Sequence, residues 1–249
     1  MSKILVTGAT GFIGSHLSEL LTHKGHEVIA FDRYNSNNNW GWLEESDCKN
    51  DIQVVLGDIR DYDSVSKTMK GCTSVFHLAA LVGIPYSYLS PLAYIKTNIE
   101  GTFNVLESAK ELKTEHILIT STSETYGTAQ SVPIREDHPL VGQSPYSASK
   151  IAADQLALSY HMSFDLPVKI IRPFNTYGPR QSARAIIPTI ISQVLNGARS
   201  VELGNLSPTR DLTYVEDTCN AFYEIYKVKK LFGDVVNIGM NEEISIKDL

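Results

Sequence analysis

A tyrosine and a lysine four residues apart provide the first candidate for acid–base chemistry. Tyr146 and Lys150 lie in the run Tyr-Ser-Ala-Ser-Lys, and on a helix this spacing brings the phenol and the ammonium to one face. A nearby cation, together with the positive charge of an oxidised cofactor ring, favours the tyrosinate over the phenol and so lowers the pKa of the tyrosine from about 10 toward neutral pH. The pair is therefore predicted to act as a base, although the same spacing also arises by chance on helix surfaces.

A carboxylate among hydroxyl groups is the second candidate. Thr122, Ser123 and Glu124 come almost directly after the apolar run His116–Thr120, which predicts a buried strand. Ligands of open parallel sheets bind at the carboxyl ends of the strands, so these side chains are expected to lie near a ligand. Glu124 is therefore predicted to be an acid or base in the reaction, and the alternative is a capping or turn carboxylate.

Glycines spaced three residues apart predict a binding site for a dinucleotide. They follow the apolar run Lys3–Thr7, which predicts a strand, and they precede a predicted helix that begins near Ser15. Glycine permits a tight turn and lets the backbone approach a pyrophosphate, while the helix N-terminus attracts that anion with unpaired N–H groups. The alternative is a glycine-rich turn without a ligand. The motif comprises Gly8, Gly11, Phe12, Ile13 and Gly14.

Acidic residues at the ends of the next two predicted strands extend this site. Asp32 stands 18 residues after Gly14, where a carboxylate can bind the adenosine ribose hydroxyls and repel the 2′-phosphate of NADP. Asp32 therefore predicts NAD as the cofactor, although Arg33 could accommodate that phosphate and Asp32 could instead be a helix cap or turn residue. Asp58 and Ile59 follow the third predicted strand and are expected to meet the adenine edge, or else to form a solvated turn.

The candidate residues require a scaffold of alternating strands and helices. Short runs rich in β-branched residues predict buried parallel strands, and amphipathic stretches between them predict helices. This alternation predicts an α/β fold with a doubly wound (Rossmann) parallel sheet. The predicted strands are Lys3–Thr7, Glu27–Phe31, Ile52–Leu56, Ser74–His77, His116–Thr120 and Val168–Ile171, and the predicted helices are Ser15–Lys24, Asp63–Lys70, Pro91–Lys113 and Tyr146–Phe164.

The pattern changes after Arg172, where prolines interrupt the chain repeatedly. A smaller substrate-binding lobe is predicted there, with a helix at Ile187–Leu195. A helix at Arg210–Tyr226 and a strand at Asp234–Ile238 are predicted to return to the main sheet. Glu242–Leu249 resembles the start of another element, so the chain is expected to be shorter than the natural product. The Rossmann domain is placed at 1–172 with a return segment at about 213–239, and the lobe at 173–212 and 240–249.

Composition and charge exclude several classes of protein. The chain has 249 residues, of which 43% are hydrophobic and 20% charged, as is typical of a globular protein. A net charge of −6 without a basic cluster argues against a nucleic acid partner. Three cysteines without a C-x-x-C pair and seven histidines without metal-ligand spacing predict no metal site. No membrane span or signal peptide is predicted, so a cytoplasmic protein is expected.

Five segments together resemble the extended short-chain dehydrogenase/reductases of the NAD-dependent epimerase/dehydratase family, and they span nearly the whole chain. The resemblance implies NAD as the cofactor, with Leu78, Ala79 and Ala80 beside it, and a nucleotide sugar as the substrate. The runs around Glu124 and Tyr146 are most similar to nucleotide-sugar 4,6-dehydratases, above all those of legionaminic acid biosynthesis, which act on an N-acetylglucosamine nucleotide. The five segments are Thr7–Gly14, His77–Ala80, Ser121–Gly127, Tyr146–Lys150 and Arg172–Pro179.

The resemblance also implies a role for each candidate catalytic residue. Tyr146 takes the hydroxyl proton while NAD removes hydride from the sugar C-4, Lys150 supports the tyrosinate and binds the nicotinamide ribose, and Thr122 donates to the C-4 oxygen. Glu124 abstracts the C-5 proton, water leaves from C-6, and the hydride returns to C-6 to give a 4-keto-6-deoxy sugar. Ser123 stands where dehydratases of thymidine-diphosphate glucose carry an acidic aspartate and those of guanosine-diphosphate mannose carry serine. The acid that protonates the leaving hydroxyl is therefore open, with Glu124 as one candidate.

Substrate contacts and assembly are implied as well. Asn175 and Arg210 match positions that contact the diphosphate in the family, and Arg184 is a weaker candidate. Asn98, grouped with the substrate-binding residues, is expected to order the backbone near the nicotinamide. The family forms homodimers through a four-helix bundle, which the two longest predicted helices of this chain would supply.

Other functions stay open at this point. The run Ser-Thr-Ser-Glu also resembles UDP-glucuronate decarboxylases, which share the first oxidation but lose carbon dioxide, and a 4-epimerase of the same superfamily is a further alternative. The chain could also be an idle NAD-binding regulator of this fold. The candidate catalytic residues count against that reading, because a regulator needs none of them. The choice between a UDP- and a GDP-N-acetylglucosamine substrate is not specified by the sequence.

Overall fold

Short apolar runs form parallel strands at the centre of the molecule, as shown by a computed structural model that describes residues 1–37 and 39–249. The predicted strands match it to within two residues at their ends. The described strands are β1 (Lys3–Thr7), β2 (Glu27–Arg33), β3 (Ile52–Gly57), β4 (Ser74–His77), β5 (His116–Thr120), β6 (Val168–Pro173), β7 (Asn175–Tyr177), β8 (Thr209–Arg210), β9 (Leu212–Tyr214), β10 (Val235–Ile238) and β11 (Ile244–Ser245).

The main sheet has the order β10-β6-β5-β4-β1-β2-β3 among the described strands, and all of its pairs are parallel. The chain proceeds outward from β1 on one side and from β4 on the other, so a crevice opens at the carboxyl ends of these two strands. The register places Thr7 beside Phe31 of β2 and His77 of β4. The predicted doubly wound α/β sheet is confirmed.

Helices cover both faces of this sheet, because strands that are apolar on both sides must be buried on both. One face packs against the first and last helices, with Leu17 and Phe222 fully buried, and the other face packs against three helices that bury Val65, Val105 and Ala157. The described helices are α1 (Phe12–His23), α2 (Tyr62–Met69), α3 (Ile84–Leu89), α4 (Pro91–Tyr94), α5 (Gly101–Leu112), α6 (Pro145–Phe164), α7 (Ile186–Leu195) and α8 (Val215–Lys227).

Two helices differ from the prediction. The helix expected at Pro91–Lys113 is divided into α4 and α5 by the π-helical segment Ile95–Glu100, and π-helical turns often occur at functional sites. The helix expected at Arg210–Tyr226 begins only at Val215, because Leu212–Tyr214 forms β9 and pairs with β7. Tertiary strand pairing therefore overrode the helical pattern at the start of that segment.

Segments after β6 form a smaller region beside the sheet. In it, β7 pairs with β9 in parallel and β8 pairs with β11 in antiparallel orientation. Both terminal nitrogens of the Arg180 guanidinium, Nη1 and Nη2, donate to the Glu19 carboxylate of α1, each at 2.9 Å. The chain then returns to the main sheet, since β10 pairs with β6 and α8 packs against α1. Across residues 1–37 and 39–249, no helix combines the length and the apolar character needed to cross a bilayer.

Candidate active site

The glycine turn after β1 packs too tightly for side chains at two positions. Gly8 has a φ of +70°, and a Cβ there would lie 2.8 Å from the Ala79 amide nitrogen. A Cβ on Gly14 would collide with the carbonyl oxygen of Gly8. Gly11 caps α1 without a side chain, so the first-turn N–H groups of Phe12, Ile13 and Gly14 have no capping side chain. This arrangement fits a pyrophosphate at the helix N-terminus.

Asp32 lies beside this turn at the carboxyl end of β2. Its Oδ2 atom accepts hydrogen bonds from the Thr10 amide at 2.8 Å and from the Thr10 hydroxyl at 2.6 Å, and its Oδ1 atom accepts one from the Arg33 amide at 2.6 Å. The carboxylate thus orders the glycine turn as well as facing the crevice.

Asp58 and Ile59 follow β3 and differ in their surroundings. The Arg60 guanidinium binds both carboxylate oxygens of Asp58, which holds the pKa of that carboxyl below its usual range. Ile59 is 7% exposed, and its carbonyl accepts a hydrogen bond from Asn104 at 3.0 Å. The side chain of Ile59 therefore belongs to the core, while Asp58 lies at the surface edge of the crevice.

The segment after β4 forms the other wall of the crevice. The amide of Leu78 donates to the Thr7 carbonyl at 3.1 Å, and the amide of Ala79 donates to the Thr7 hydroxyl at 3.1 Å. These bonds hold the half-buried residues Leu78, Ala79 and Ala80 against the end of β1. His77 is buried between two threonine hydroxyls, and burial lowers its pKa to about 3.

Asn98 does not reach this crevice. It is 1% exposed, and its side-chain amide binds the backbone of Leu81 at 2.8 and 3.0 Å and the Ser149 hydroxyl at 2.9 Å. Every polar atom of the amide is thus committed to the protein. Its side chain ties the Leu81 backbone to α6, in agreement with the expectation that Asn98 orders backbone, and its grouping with the substrate-binding residues stays a prediction.

Tyr146 and Lys150 lie one turn apart on α6. The helix starts at a capping box of Ser144 and Ser147, and both reacting groups are enclosed, Tyr146 at 7% and Lys150 at 4% exposure. The Lys150 ammonium donates to the Thr120 carbonyl at 2.5 Å. Burial lowers the pKa of Lys150 to about 8.

The pKa of Tyr146 is raised in the protein alone, whereas the predicted fall depends on an oxidised nicotinamide as well as on Lys150 and stays a prediction. Burial is the largest cause, a hydrogen bond with the Thr122 side chain opposes it, and the charge of Glu124 adds to the rise. In the protein alone, desolvation of the tyrosinate is therefore the dominant influence on Tyr146.

The turn after β5 presents the three remaining catalytic candidates. Thr122 caps a 3-10 turn over Ser123–Tyr126, with its hydroxyl accepting from the Glu124 amide at 3.2 Å. Ser123 and Glu124 are half-buried and line a cleft of 790 Å³. Thr122 and Glu124 also lie near enough to Tyr146 to change its pKa. The structure therefore brings Tyr146 and the turn together.

Two of the three expected diphosphate ligands line the same cleft. Asn175 and Arg210 are among its lining residues together with Glu124, whereas Arg184 is exposed and lies outside the lining. Arg210 is the one basic residue of this lining within the described chain, and Glu124, Asp211, Glu242 and Glu243 are its acidic residues.

A buried charged pair beneath the site was not predicted. The carboxylate of Asp154 on α6 accepts from the Arg172 guanidinium at 2.9 and 3.1 Å, and both side chains are fully enclosed. One signal for it was present in the sequence, because Asp154 stands four residues after Lys150 in an otherwise apolar stretch. Its partner lies on another element, so the pair could not be read from local spacing.

Comparison with known proteins places this geometry among nucleotide-sugar enzymes. The family model described as GDP-mannose 4,6 dehydratase matches residues 5–249. A dTDP-D-glucose 4,6-dehydratase from Dictyostelium discoideum is 36% identical over 268 aligned residues. The alignment covers 100% of this chain and 61% of that protein, so the chain spans less than two thirds of that relative's length.

Solved structures agree in fold over nearly the whole chain. A dTDP-glucose 4,6-dehydratase from Streptomyces venezuelae with NAD bound superposes with a TM-score of 0.91 at 30% identity, covering 98% of this chain and 78% of that one. A UDP-N-acetylglucosamine 4-epimerase from Methanobrevibacter ruminantium M1 gives a TM-score of 0.90 at 30% identity with the same coverage.

Proposed function

Because this chain belongs to the GDP-mannose 4,6-dehydratase family of NAD-dependent nucleotide-sugar enzymes, we propose that it is itself a nucleotide-sugar 4,6-dehydratase. Its substrate would be a UDP- or GDP-N-acetylglucosamine type of sugar nucleotide, and its product the 4-keto-6-deoxy derivative. One observation carries the proposal. Glu124 lies both near Tyr146 and in the cleft that Asn175 and Arg210 line, so an elimination base stands between the oxidation base and the diphosphate ligands.

The crevice at β1 and β4 fits NAD. The glycine turn has no room for side chains at Gly8 and Gly14, and the uncapped N-terminus of α1 suits the pyrophosphate. The Asp32 carboxylate suits ribose hydroxyls and disfavours a 2′-phosphate. NAD, when bound, accepts hydride from the sugar C-4 and returns it at C-6, so it is unchanged after each turnover.

Tyr146 would take the proton of the C-4 hydroxyl during oxidation. The Thr122 hydroxyl stabilises the phenolate by hydrogen bonding, and Lys150 adds a positive charge one helical turn away. These groups must overcome the burial that raises the pKa of Tyr146. The positive charge of an oxidised nicotinamide ring held in the same crevice would act in the same direction, so the tyrosinate is expected to form once the site is filled.

Glu124 would then act on the 4-keto sugar. A carbonyl at C-4 makes the C-5 hydrogen acidic, and a carboxylate that lines the cleft is a suitable base for it. Ser123 lies beside it, and a serine hydroxyl is a weak acid by itself. Glu124 can therefore deliver the proton it has taken to the departing C-6 hydroxyl, with Ser123 as a hydrogen-bond partner.

Charges in the cleft favour dehydration over decarboxylation. A uronate carries a carboxylate at C-6 in addition to the diphosphate, and buried or partly buried anions require cationic partners. The lining of the described cleft offers one arginine, Arg210, against four carboxylates. A neutral C-6 hydroxymethyl group suits this surface better. Epimerisation at C-4 needs no base at C-5, so the position of Glu124 also favours a dehydratase.

Mass spectrometry of the sugar nucleotide after incubation tests the proposal. With NAD-loaded protein, we expect a UDP- or GDP-N-acetylglucosamine to lose the mass of one water. Glu124→Gln, which keeps the shape but removes the base, is the matched control and should form dehydrated product at least roughly 10²-fold more slowly. Loss of carbon dioxide from a glucuronate nucleotide, an epimer of unchanged mass, or no conversion of any substrate would each contradict the assignment.

A further inference from the structure

The buried carboxylate of Asp154 lies among the charged groups of the site without a role in the reaction described above. It stands one helical turn beyond Lys150 on α6, and Lys150 stands one turn beyond Tyr146. Asp154 is 0% exposed, Arg172 2% and Lys150 4%. Two cations and one anion are thus enclosed together, in an interior where ions are costly unless they are paired.

The two oxygens of this carboxylate are used unequally. Oδ2 accepts hydrogen bonds from the Ser121 hydroxyl at 2.7 Å and from Nε and Nη2 of Arg172 at 3.1 and 2.9 Å. Oδ1 is buried and has no hydrogen-bond partner within residues 1–37 and 39–249. A buried carboxylate oxygen without a hydrogen-bond donor lowers the stability of the folded protein. Its charge acts on Lys150 and Tyr146, whose pKa values Asp154 raises.

The same network holds both ends of the turn that carries the catalytic candidates. Ser121, which binds Asp154, comes immediately before the turn, and Tyr126 ends it. Arg172 donates from Nη1 to the Tyr126 hydroxyl at 3.0 Å, and its guanidinium lies 4.9 Å from the centre of the Tyr126 ring. The Tyr126 hydroxyl in turn donates to Asn237, which lines the cleft, at 2.7 Å.

We propose that Asp154 is a positioning residue of this site, which clamps the 121–126 turn against α6 and holds a negative charge beside Lys150. The proposal rests on the proposed function, because the turn and Lys150 matter only if they act on a sugar. Asp154 does not line the cleft, so its effect passes through Ser121, Arg172 and Lys150.

The charge of Asp154 predicts a specific change in pH dependence. Asp154 raises the pKa of Lys150 and of Tyr146, so removing its charge lowers both. Activity requires Tyr146 deprotonated and Lys150 protonated, and therefore both limbs of the kcat profile should move to lower pH. The other titratable or charged groups around Tyr146, Lys150 and Asp154 are Arg172 of β6, Glu124 of the turn, Tyr94 of α4, whose ring lies 6.2 Å from that of Tyr146, and His77 of β4. His77, with a pKa of about 3, stays neutral throughout.

Asp154→Asn in the full, NAD-loaded chain tests the proposal. We expect kcat to fall by between roughly 10-fold and 10²-fold, the scale that follows when reacting groups shift by about 1 Å, with KM little changed. Both limbs of the kcat profile should move to lower pH, and Asp154→Glu, which keeps the charge, should restore their positions. Ser121→Ala is the matched control, because it removes a hydrogen bond to the same oxygen but no charge. It should lower kcat without moving the limbs.

A second variant and a second measurement keep the test decisive. If Asp154→Asn leaves Arg172 unpaired and fails to fold, the double variant Asp154→Asn/Arg172→Met removes both buried charges and should show the same shift. The ionisation of Tyr146 can be followed without substrate as the tyrosinate absorbance that is missing when Tyr146→Phe is added to the variant. The midpoint of this titration should also move to lower pH. If neither limb of the kcat profile nor the midpoint of the tyrosinate titration moves, the proposed role of Asp154 is wrong. A wild-type protein that converts no sugar nucleotide would instead overturn the proposed function, and the tyrosinate titration would still test Asp154.

Discussion

Burial governs the acid–base behaviour of the side chains on which the proposed reaction depends. It raises the pKa of Tyr146, lowers that of Lys150 to about 8 and lowers that of His77 to about 3. In each case the interior disfavours the charged form. The protein without ligand therefore holds Tyr146 as a phenol, and the tyrosinate must be stabilised by what binds beside it.

Replacing Tyr146 and Glu124 should separate oxidation from elimination. In a single turnover with NAD-loaded enzyme, Glu124→Gln should still form a bound 4-keto sugar but slow its dehydration by roughly 10²- to 10⁴-fold, as expected for loss of an acid/base group. Tyr146→Phe should form no 4-keto sugar. Mass spectrometry of the quenched mixture distinguishes the two. A 6-deoxy product formed by Glu124→Gln at the wild-type rate, or a keto sugar formed by Tyr146→Phe, would contradict these roles.

Asp32 should determine the preference between NAD and NADP. Asp32→Ala removes the carboxylate, so NAD affinity should fall by roughly 10- to 100-fold, the range for a hydrogen bond to a charged group, while NADP binding should improve. Thr10→Val is the control, since it removes the hydroxyl bound to Asp32 and should weaken both cofactors alike. Calorimetric titration measures both constants. If Asp32→Ala leaves the ratio of NAD affinity to NADP affinity unaltered, Asp32 serves only to order the glycine turn.

The strand–turn–helix unit of β1 and α1 and the π-helical segment before α5 are the two elements that shape the cofactor crevice. The first brings backbone rather than side chains to the ligand, because Gly8 and Gly14 leave no room for a Cβ. The second places Asn98 so that its amide holds the Leu81 backbone beside the end of β4. Each element therefore contributes by fixing main chain where a cofactor can approach it.

Gly14→Ala should disrupt the first of these elements. The added methyl group would meet the Gly8 carbonyl oxygen and lie 2.9 Å from the Ala9 Cα, both of them backbone atoms that cannot move aside cheaply. We expect the free energy of unfolding to fall by about 1–3 kcal/mol, as for overpacking, and bound NAD to be lost on purification. Gly204→Ala, where a Cβ has nothing within 4 Å, should change neither. Retention of NAD by Gly14→Ala would contradict the proposed pyrophosphate site.

The molecule as a whole combines a sheet buried on both faces with a region after β6 that is tied back to it. The Arg180–Glu19 pair and the return of α8 and β10 join that region to the glycine-turn helix and to the sheet edge. The candidate site lies between them, with the cofactor crevice on the sheet and the cleft shared with β7 and β8 segments. The domain limits at 1–172 and 173–212 stay a prediction.

A homodimer also stays a prediction, supported by apolar side chains on the surface of α3–α6. Leu89 is 82% exposed, Leu92 60% and Met162 75%, and exposed apolar side chains of this size are common at interaction surfaces when they form one patch. We expect a dimer at micromolar concentration in sedimentation experiments, and Leu92→Asp should shift it toward monomer. Leu195→Asp on α7, 80% exposed in the wild type, is the control and should not. A wild-type monomer would remove the prediction.

Local spacing was enough to predict the sheet, the glycine turn, the pair Tyr146 and Lys150 and the run containing Glu124. In each, the residues that matter stand within one turn or one strand of each other, so chain geometry alone constrains them. The alternation of apolar runs likewise predicted a doubly wound sheet, because parallel strands must be buried on both faces. The positions of most helices followed from the same periodicity.

Contacts between distant segments were decided by packing, and no local pattern encodes them. Arg172 binds Tyr126 across 46 residues and Asp154 across 18, which produced the clamp on the catalytic turn. Packing also enclosed the Asn98 amide, left Arg184 outside the cleft that holds Arg210, and made burial the largest influence on the pKa of Tyr146 in the protein alone. Burial and desolvation depend on everything that surrounds a side chain, so they appear only once the whole chain has folded.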